Sequence, residues 1–379
     1  MSLQDFFKNG TFVGRVWRED VEGPAVVAIR NGKVVDITST VVPTMRDLLE
    51  MGDPAAYVAH SVGEPIADIT DLLNCGSDGR IHLLAPIDLQ SVKACGVTFA
   101  RSMIERVIEE RAAGNPKLAS RIRGRIASVI GESLCDLKAG SAAAEQVKAA
   151  LIEEGLWSQY LEVGIGPDAE VFSKAQVLSS VGHGADVGLH PASKWNNPEP
   201  EVVLAVNSQG RIVGATLGND VNLRDIEGRS ALLLGKAKDN NASCSIGPLL
   251  RLFDETYDLD DVRAAELTLT VEGDDGFLLR GHSSMKEISR DPVDLVLQTI
   301  GAHHQYPDGL VLFMGTLFAP TEDRGEVGQG FTHHVGDIVS ISNEHLGTLR
   351  NRVKLSTDCP PWAFGASHLM RNLAGRGLL

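Results

Sequence analysis

Two glutamates one residue apart, Glu199 and Glu201 in "NPEPEVVLAV", stand at the head of an apolar segment, and Asp220 closes the stretch "VNSQGRIVGATLGND" downstream. Along a strand, side chains alternate faces, so residues two apart share one face. Glu199 and Glu201 would then point the same way, about 7 Å apart along the strand. Pro200 between them has no backbone donor, which suits a strand start or edge. A turn around Gly210 and a return strand bring Asp220 back beside the pair. Three converging carboxylates repel one another unless their pKa values rise or a cation sits among them. An all-oxygen set suits a hard divalent ion, Mg²⁺ first and Mn²⁺ second. Such an ion keeps positions open for water or substrate and serves as a Lewis acid. The same residues also fit a solvated strand edge with a turn aspartate, because exposed carboxylates are the norm. Spacing alone leaves both readings open.

The elements that must position these residues read as follows. Residues 1–85 form a small N-terminal α+β domain: "TFVGRVW" and "PAVVAIRNGKVVDI" are short strands with an Asn-Gly hairpin turn. "TMRDLLEM" and "PIADITDLLN" follow as short helices. Residues 86–379 are expected to form the larger domain, entered through the proline-marked "LLAPIDLQSVKACGVTFA". Within it, about 101–160 is a helical segment, in which "SMIERVIEERA" and "SAAAEQVKAALIEEGLW" carry apolar residues at three-to-four spacing. Strands then dominate: "PEVVLAVNSQGRIVGATLGND", "AAELTLTVEGDDGFLLRG", "GLVLFMGTLFA" and "VGDIVSISNEHLGTLRNRV". One amphipathic helix, "DPVDLVLQTIGAHHQ", interrupts them. Strands that do not alternate regularly with helices point to a β-rich α+β body rather than a doubly wound sheet.

Composition excludes several classes. The 379 residues carry a net charge of −15 and no basic tract, which argues against nucleic acid or an anionic membrane as a partner. No apolar run is long enough to span a bilayer, and the N-terminus lacks the basic-then-apolar pattern of a secretory signal. Five scattered cysteines without a CxxC pair suit the reduced thiols of a cytoplasm, the expected location. "GHGADVG" has the wrong glycine spacing for a dinucleotide loop, and the "LHPASKWNNP" after it cannot open a helix, so no nicotinamide cofactor is implied.

Five segments in order, "PEPEVVLAV", "GATLGNDVNLRDIEGR", "AKDNNASCSIGP", "GLVLFMGT" and "HLGTLRNRV", resemble the fumarylacetoacetate hydrolase superfamily over about residues 90–354. The nearest likeness is to its sugar-acid branch, the 2-keto-3-deoxy-pentonate dehydratases. The resemblance implies a rolled β-sandwich packed as a homodimer or homotetramer, with Glu199, Glu201 and Asp220 holding Mg²⁺. It implies that Lys238, nine residues before Gly247-Pro248, is the active-site lysine. Lys236, two residues away, is expected on the same strand face, and Ser243-Cys244 favours Lys238. A cation beside a metal-bound keto acid steadies an enolate or moves a proton. Glu170 in "DAEVFSKAQ" matches a glutamate implicated in proton transfer, and Lys174 the lysine of the same segment. On their own, Glu170 and Lys238 read as solvated side chains, and Thr316 in "MGT" as a strand-end hydroxyl.

Many hydrolases of the superfamily carry a His–Glu pair that activates water. Here "TFARSMIE" places Ser102 where that His would stand, although Glu105 remains. Without the imidazole there is no evident base for attack on a carbonyl carbon, and elimination is favoured over hydrolysis. Arg101, Ser102, Lys174 and Thr316 are the implied substrate contacts. The pairs His303-His304 and His333-His334 lack the i,i+4 spacing of a helical metal site and read as helix-end and turn residues. "HSSMKEISRDP" reads as a mobile segment near the pocket. The implied activity is loss of water from a 2-keto-3-deoxy-pentonate, derived from D-xylonate or D-arabonate, to give 2,5-dioxopentanoate. Alternatives are C–C hydrolysis of an acylpyruvate-like diketo acid, oxaloacetate decarboxylation, or non-catalytic binding of a sugar acid. The enzymatic ones share chelation of an α-keto acid, so the fold does not separate them.

Overall fold

The computed structural model describes residues 6–77, 79–99, 103, 137–153, 155–318, 322–324 and 330–379. Their strands, in chain order, are β1 (Phe12–Arg18), β2 (Gly23–Arg30), β3 (Lys33–Asp36), β4 (Glu64–Asp68), β5 (Ile81–Leu84) and β6 (Ser91–Gly96). Next come β7 (Glu170–Ala175), β8 (Asp186–Leu189), β9 (Pro200–Val206), β10 (Ile212–Asp220) and β11 (Cys244–Leu252). The last are β12 (Glu266–Glu272), β13 (Leu278–Ser284), β14 (Leu310–Phe313), β15 (Ile338–Asn343) and β16 (Gly347–Leu355).

Eleven of these make one sheet in the order β4-β3-β2-β1-β11-β10-β9-β14-β6-β7, with β5 also on β1, and five make a second in the order β13-β12-β15-β16-β8. Pairing is antiparallel except β14 with β6 and β16 with β8. The strand-rich α+β body expected from the sequence is what is found. Two faces of β9 explain its unbroken apolar run. Val202, Leu204 and Val206 pack toward Leu267, Leu269, Ile341 and Leu349 of the five-stranded sheet. Val203 points the other way, onto Ile246, Val311 and Phe313. Each such buried aliphatic side chain contributes roughly 1.5–3 kcal/mol, so the strand that carries the carboxylates is anchored on both sides.

Asn31 and Gly32 both adopt positive φ, 51° and 78°, closing β2 onto β3 as the Asn-Gly pair predicts. β1 hydrogen-bonds β11 antiparallel, with Phe12 opposite Arg251, so the N-terminal strands continue the central sheet. Two spans differ from the sequence reading. "PIADITDLLN" is not one helix: Glu64–Asp68 pairs with β3, and only Ile69–Asn74 is helical. Edge pairing with a neighbouring strand overrides local propensity there. The helix in "DPVDLVLQTIGAHHQ" runs Pro292–Thr299 and stops, because Gly301 and His304 close a turn. Ala142–Glu153 is helical as its spacing predicts, whereas "SMIERVIEERA" lies almost wholly outside the described residues. Among those described, no helix is long and apolar enough to cross a membrane.

Candidate active site

The β9–β10 hairpin sets Gly218 opposite Glu201 and Asn219 opposite Pro200, and the Asp220 amide donates to the Glu199 carbonyl at 3.0 Å. The three carboxylates are thereby drawn together. Glu199, Glu201 and Asp220 are 4%, 2% and 1% exposed, which rules out the solvated-edge reading. One oxygen of each lies within 4.8 Å of the others, a group able to hold a metal ion.

Two lysines reach this cluster from different elements. Lys238 ends the short helix Leu234–Lys238; its Nζ donates to Glu199 Oε2 at 2.5 Å and to Asp220 Oδ2 at 3.1 Å. The strand expected around it is therefore a helical turn. Lys236, two positions back, turns outward and is exposed instead of sharing its face. Lys174, in β7, pairs with the other oxygen of Asp220, Oδ1, at 2.8 Å. Two further groups orient the glutamates. Asn222 Nδ2 donates to Glu199 Oε1 at 3.0 Å and to Glu227 Oε2 at 2.7 Å, and the Gly315 amide donates to Glu201 Oε2 at 2.6 Å.

Burial would lower the Lys238 ammonium, but the charges of Asp220 and Glu199 outweigh it and hold its pKa above the ordinary lysine value. For Glu201, burial is compounded by Asp220 and Glu199, and its carboxyl is pushed well above the usual range despite Lys238 and the Gly315 amide. Among the described residues, five carboxylates (Glu170, Glu199, Glu201, Asp220 and Glu227) line one cavity with a single lysine, Lys238. Lys174 stands behind Asp220, so negative charge stays in excess. A divalent cation among the three converging oxygens would remove that excess, and an all-carboxylate set favours Mg²⁺ or Mn²⁺ over softer metals.

Glu170 opens β7 across from Gly96 of β6. Its carboxylate lies over that glycine, where a Cβ would stand 2.0 Å from Oε2. Gly96 thus leaves the room that lets Glu170 line the cavity with the three clustered carboxylates. Thr316 lines the same cavity, but its hydroxyl donates to the Pro200 carbonyl at 3.0 Å and accepts from the Phe318 amide at 3.1 Å. Arg101 and Ser102, like Glu105, lie outside the described residues. Sequence reasoning missed Asn222, Glu227 and the Gly315 amide. The first two follow Asp220 in "NDVNLRDIEGR", where a buried turn into a helix could have been suspected; a backbone donor leaves no signal in side-chain type. Of the histidine pairs, His303-His304 do sit in a turn, but His333 is buried against Asp337 rather than being a plain turn residue. Within "HSSMKEISRDP", Ser289 donates to the Thr98 carbonyl and Ile288 bridges to Phe99, which ties the segment to the strand leading from β6.

Residues 166–354 match the fumarylacetoacetate (FAA) hydrolase C-terminal family. Over that span the chain belongs to this family. The match takes in Glu170, Lys174, all three clustered carboxylates, Lys238 and Thr316. A protein of Haloferax volcanii named "Probable 2-keto-3-deoxyxylonate dehydratase" is 28% identical over 333 residues, 86% of this chain and 94% of its own length. The 2-dehydro-3-deoxy-D-arabinonate dehydratase of Saccharolobus solfataricus is 30% identical over 185 residues, 49% of this chain and 58% of the relative. Among solved structures, a 2-keto-3-deoxy-D-arabinonate dehydratase complexed with magnesium and 2,5-dioxopentanoate superposes with a TM-score of 0.63 at 21% identity, over 91% of this chain and 99% of the other. A fumarylacetoacetate hydrolase from Exiguobacterium antarcticum superposes with a TM-score of 0.57 at 15% identity over the same shares. At such identities the likeness to the solved structures speaks for a common fold.

Proposed function

We propose that this FAA-hydrolase-fold chain is a Mg²⁺-dependent hydro-lyase that removes water from a 2-keto-3-deoxy-pentonate and yields 2,5-dioxopentanoate. The observation that carries the metal part is the buried triad Glu199, Glu201 and Asp220, one oxygen of each within 4.8 Å of the others. The substrate class is supported by the names of the two curated relatives. Bound Mg²⁺ supplies Lewis-acid polarisation of an α-keto acid, which acidifies the hydrogens at C3.

The chain's own groups divide the remaining work. Lys238, paired with two carboxylates as an ammonium, steadies negative charge that develops on the C2 oxygen. Glu170, on the facing strand, takes the C3 proton or assists departure of the C4 hydroxyl, directly or through a water. The hydroxyl leaves as water with that proton; a proton then moves from C5 to C3 to give a C4–C5 enol, and transfer of the enol hydroxyl proton to C4 gives the terminal aldehyde. Thr316, its hydroxyl already held by backbone, forms wall rather than reactant. Phe172 and Phe318 line the same cavity and limit the water in it.

The test is to incubate the protein with Mg²⁺ and 2-keto-3-deoxy-xylonate or -arabonate and weigh the product. Loss of one water with appearance of an aldehyde is expected; pyruvate plus a two-carbon fragment, or no turnover of either sugar acid, would refute dehydration.

A further inference from the structure

We infer that Lys174 is a positioning residue: from behind the cavity wall it fixes the Asp220 carboxylate and the Lys238 end of its helix relative to each other. Its place on β7 suggests otherwise. Lys174 shares a strand face with Glu170 and Phe172, both of which line the cavity. Yet Lys174 itself is fully buried and is not part of the cavity wall. Its ammonium donates to the Val221 carbonyl at 3.2 Å and the Lys238 carbonyl at 2.5 Å, and it forms an ion pair with Asp220 Oδ1 at 2.8 Å.

Those acceptors belong to two different elements. Asp220 and Val221 continue the hairpin strand that presents the acidic oxygens. The Lys238 carbonyl lies at the C-terminus of the helix that presents the other lysine, where backbone carbonyls lack helical partners and a cation is favoured. The Ser243 hydroxyl also donates to that carbonyl, at 2.8 Å. One ammonium therefore joins β10 to this helix at the point where both converge on Asp220, whose other oxygen receives Lys238 Nζ. A substrate contact would need Lys174 to reach the cavity, and it is fully buried behind the lining with its ammonium on two backbone carbonyls and Asp220. Groups behind a site that orient its ligands in this way typically contribute 10–100-fold in affinity or rate, roughly as much as a direct contact.

The inference rests on the metal reading of Asp220 for its consequence, but not for its geometry, and the experiment separates the two. In wild-type protein labelled with ¹⁵N-lysine, the Lys174 ammonium hydrogens should exchange with water far more slowly than those of surface lysines such as Lys33. They should stay slow when Mg²⁺ and oxalate are added. Exchange as fast as at the surface would overturn the assignment, whether or not any variant folds. In Lys174→Met, kcat should fall roughly 10–100-fold with KM for the keto acid little changed, and Mn²⁺ should still bind with an altered electron paramagnetic resonance line shape. A rise in KM with kcat and line shape preserved would mark a substrate contact and refute positioning. Absence of Mn²⁺ binding in the wild type would sink the metal reading alone, leaving slow exchange to support the geometry.

Discussion

A cluster of three buried carboxylates and a single buried one, Asp337, sit on opposite sheets of this molecule and behave in opposite ways. At the β9–β10 hairpin, Glu201 is pushed well above the usual carboxylate range by burial and by Asp220 and Glu199. Beside β15, burial also works to raise Asp337, but His333 and Arg324 outweigh it and bring its carboxyl down to about 2. Arg324 donates through Nη1 to Asp337 Oδ2 at 2.6 Å and through Nη2 to Oδ1 at 2.8 Å, and it also pairs with Asp275 at 3.0 Å. His333 Nδ1 and the His334 amide each stand 3.0 Å from Asp337 Oδ2. Desolvation is the same in kind at both places; the neighbours decide the direction. The Asp337 cluster supplies its own countercharge and clasps one loop to the sheet. Among the described residues, the Glu201 cluster has more carboxylates than cations in its cavity, the setting that suits a bound metal ion.

Substituting one residue in each cluster should break this symmetry most sharply. Glu201→Gln is expected to lower kcat at least about 10³-fold, about 4 kcal/mol in the barrier. Its thermal stability without metal should be unchanged or higher, because a repelling carboxylate has been removed. A variant with full activity would remove Glu201 from the metal site. Asp337→Asn should do the reverse, costing about 3 kcal/mol of stability by removing Arg324's buried charge partner and leaving it only the exposed Asp275. Activity per folded molecule should stay near wild type; urea titration alongside initial rates tests both halves. Adding Mg²⁺ at 100 times its Kd should stabilise the wild type by about 2.7 kcal/mol and Glu201→Gln by far less, read as a shift in melting temperature. The smallest effect is in acid. The Asp337 carboxyl lies near 2 when folded against an ordinary 3.8, so its contribution is whole above about pH 4 and is lost as pH falls toward 2. The loss amounts to ~2 kcal/mol, and it should be missing from the stability–pH curve of Asp337→Asn.

How far the sequence reached differs between these clusters for physical reasons. Glu199, Glu201 and Asp220 could be placed together from strand alternation and one hairpin turn, because their convergence is a local property of about twenty residues. The Asn31-Gly32 turn was readable for the same reason. Arg324, Asp337 and His333 meet through a loop whose path depends on what it packs against, so the histidines looked like plain turn residues. Lys238 was found by resemblance, yet its setting was misjudged: "LLGKAKDN" has too few residues for periodicity to separate a helical turn from a strand. Lys174 is expected from the resemblance as a substrate contact, and no spacing rule says how deep a residue on the cavity-facing side of a strand will lie.

The most direct check on the whole account is isothermal titration of Mg²⁺ into metal-free protein, followed by oxalate as a planar mimic of the keto acid. The account predicts one ion bound per chain, and oxalate binding only after Mg²⁺ is present. No saturable heat from Mg²⁺, or oxalate binding equally well without it, would contradict it.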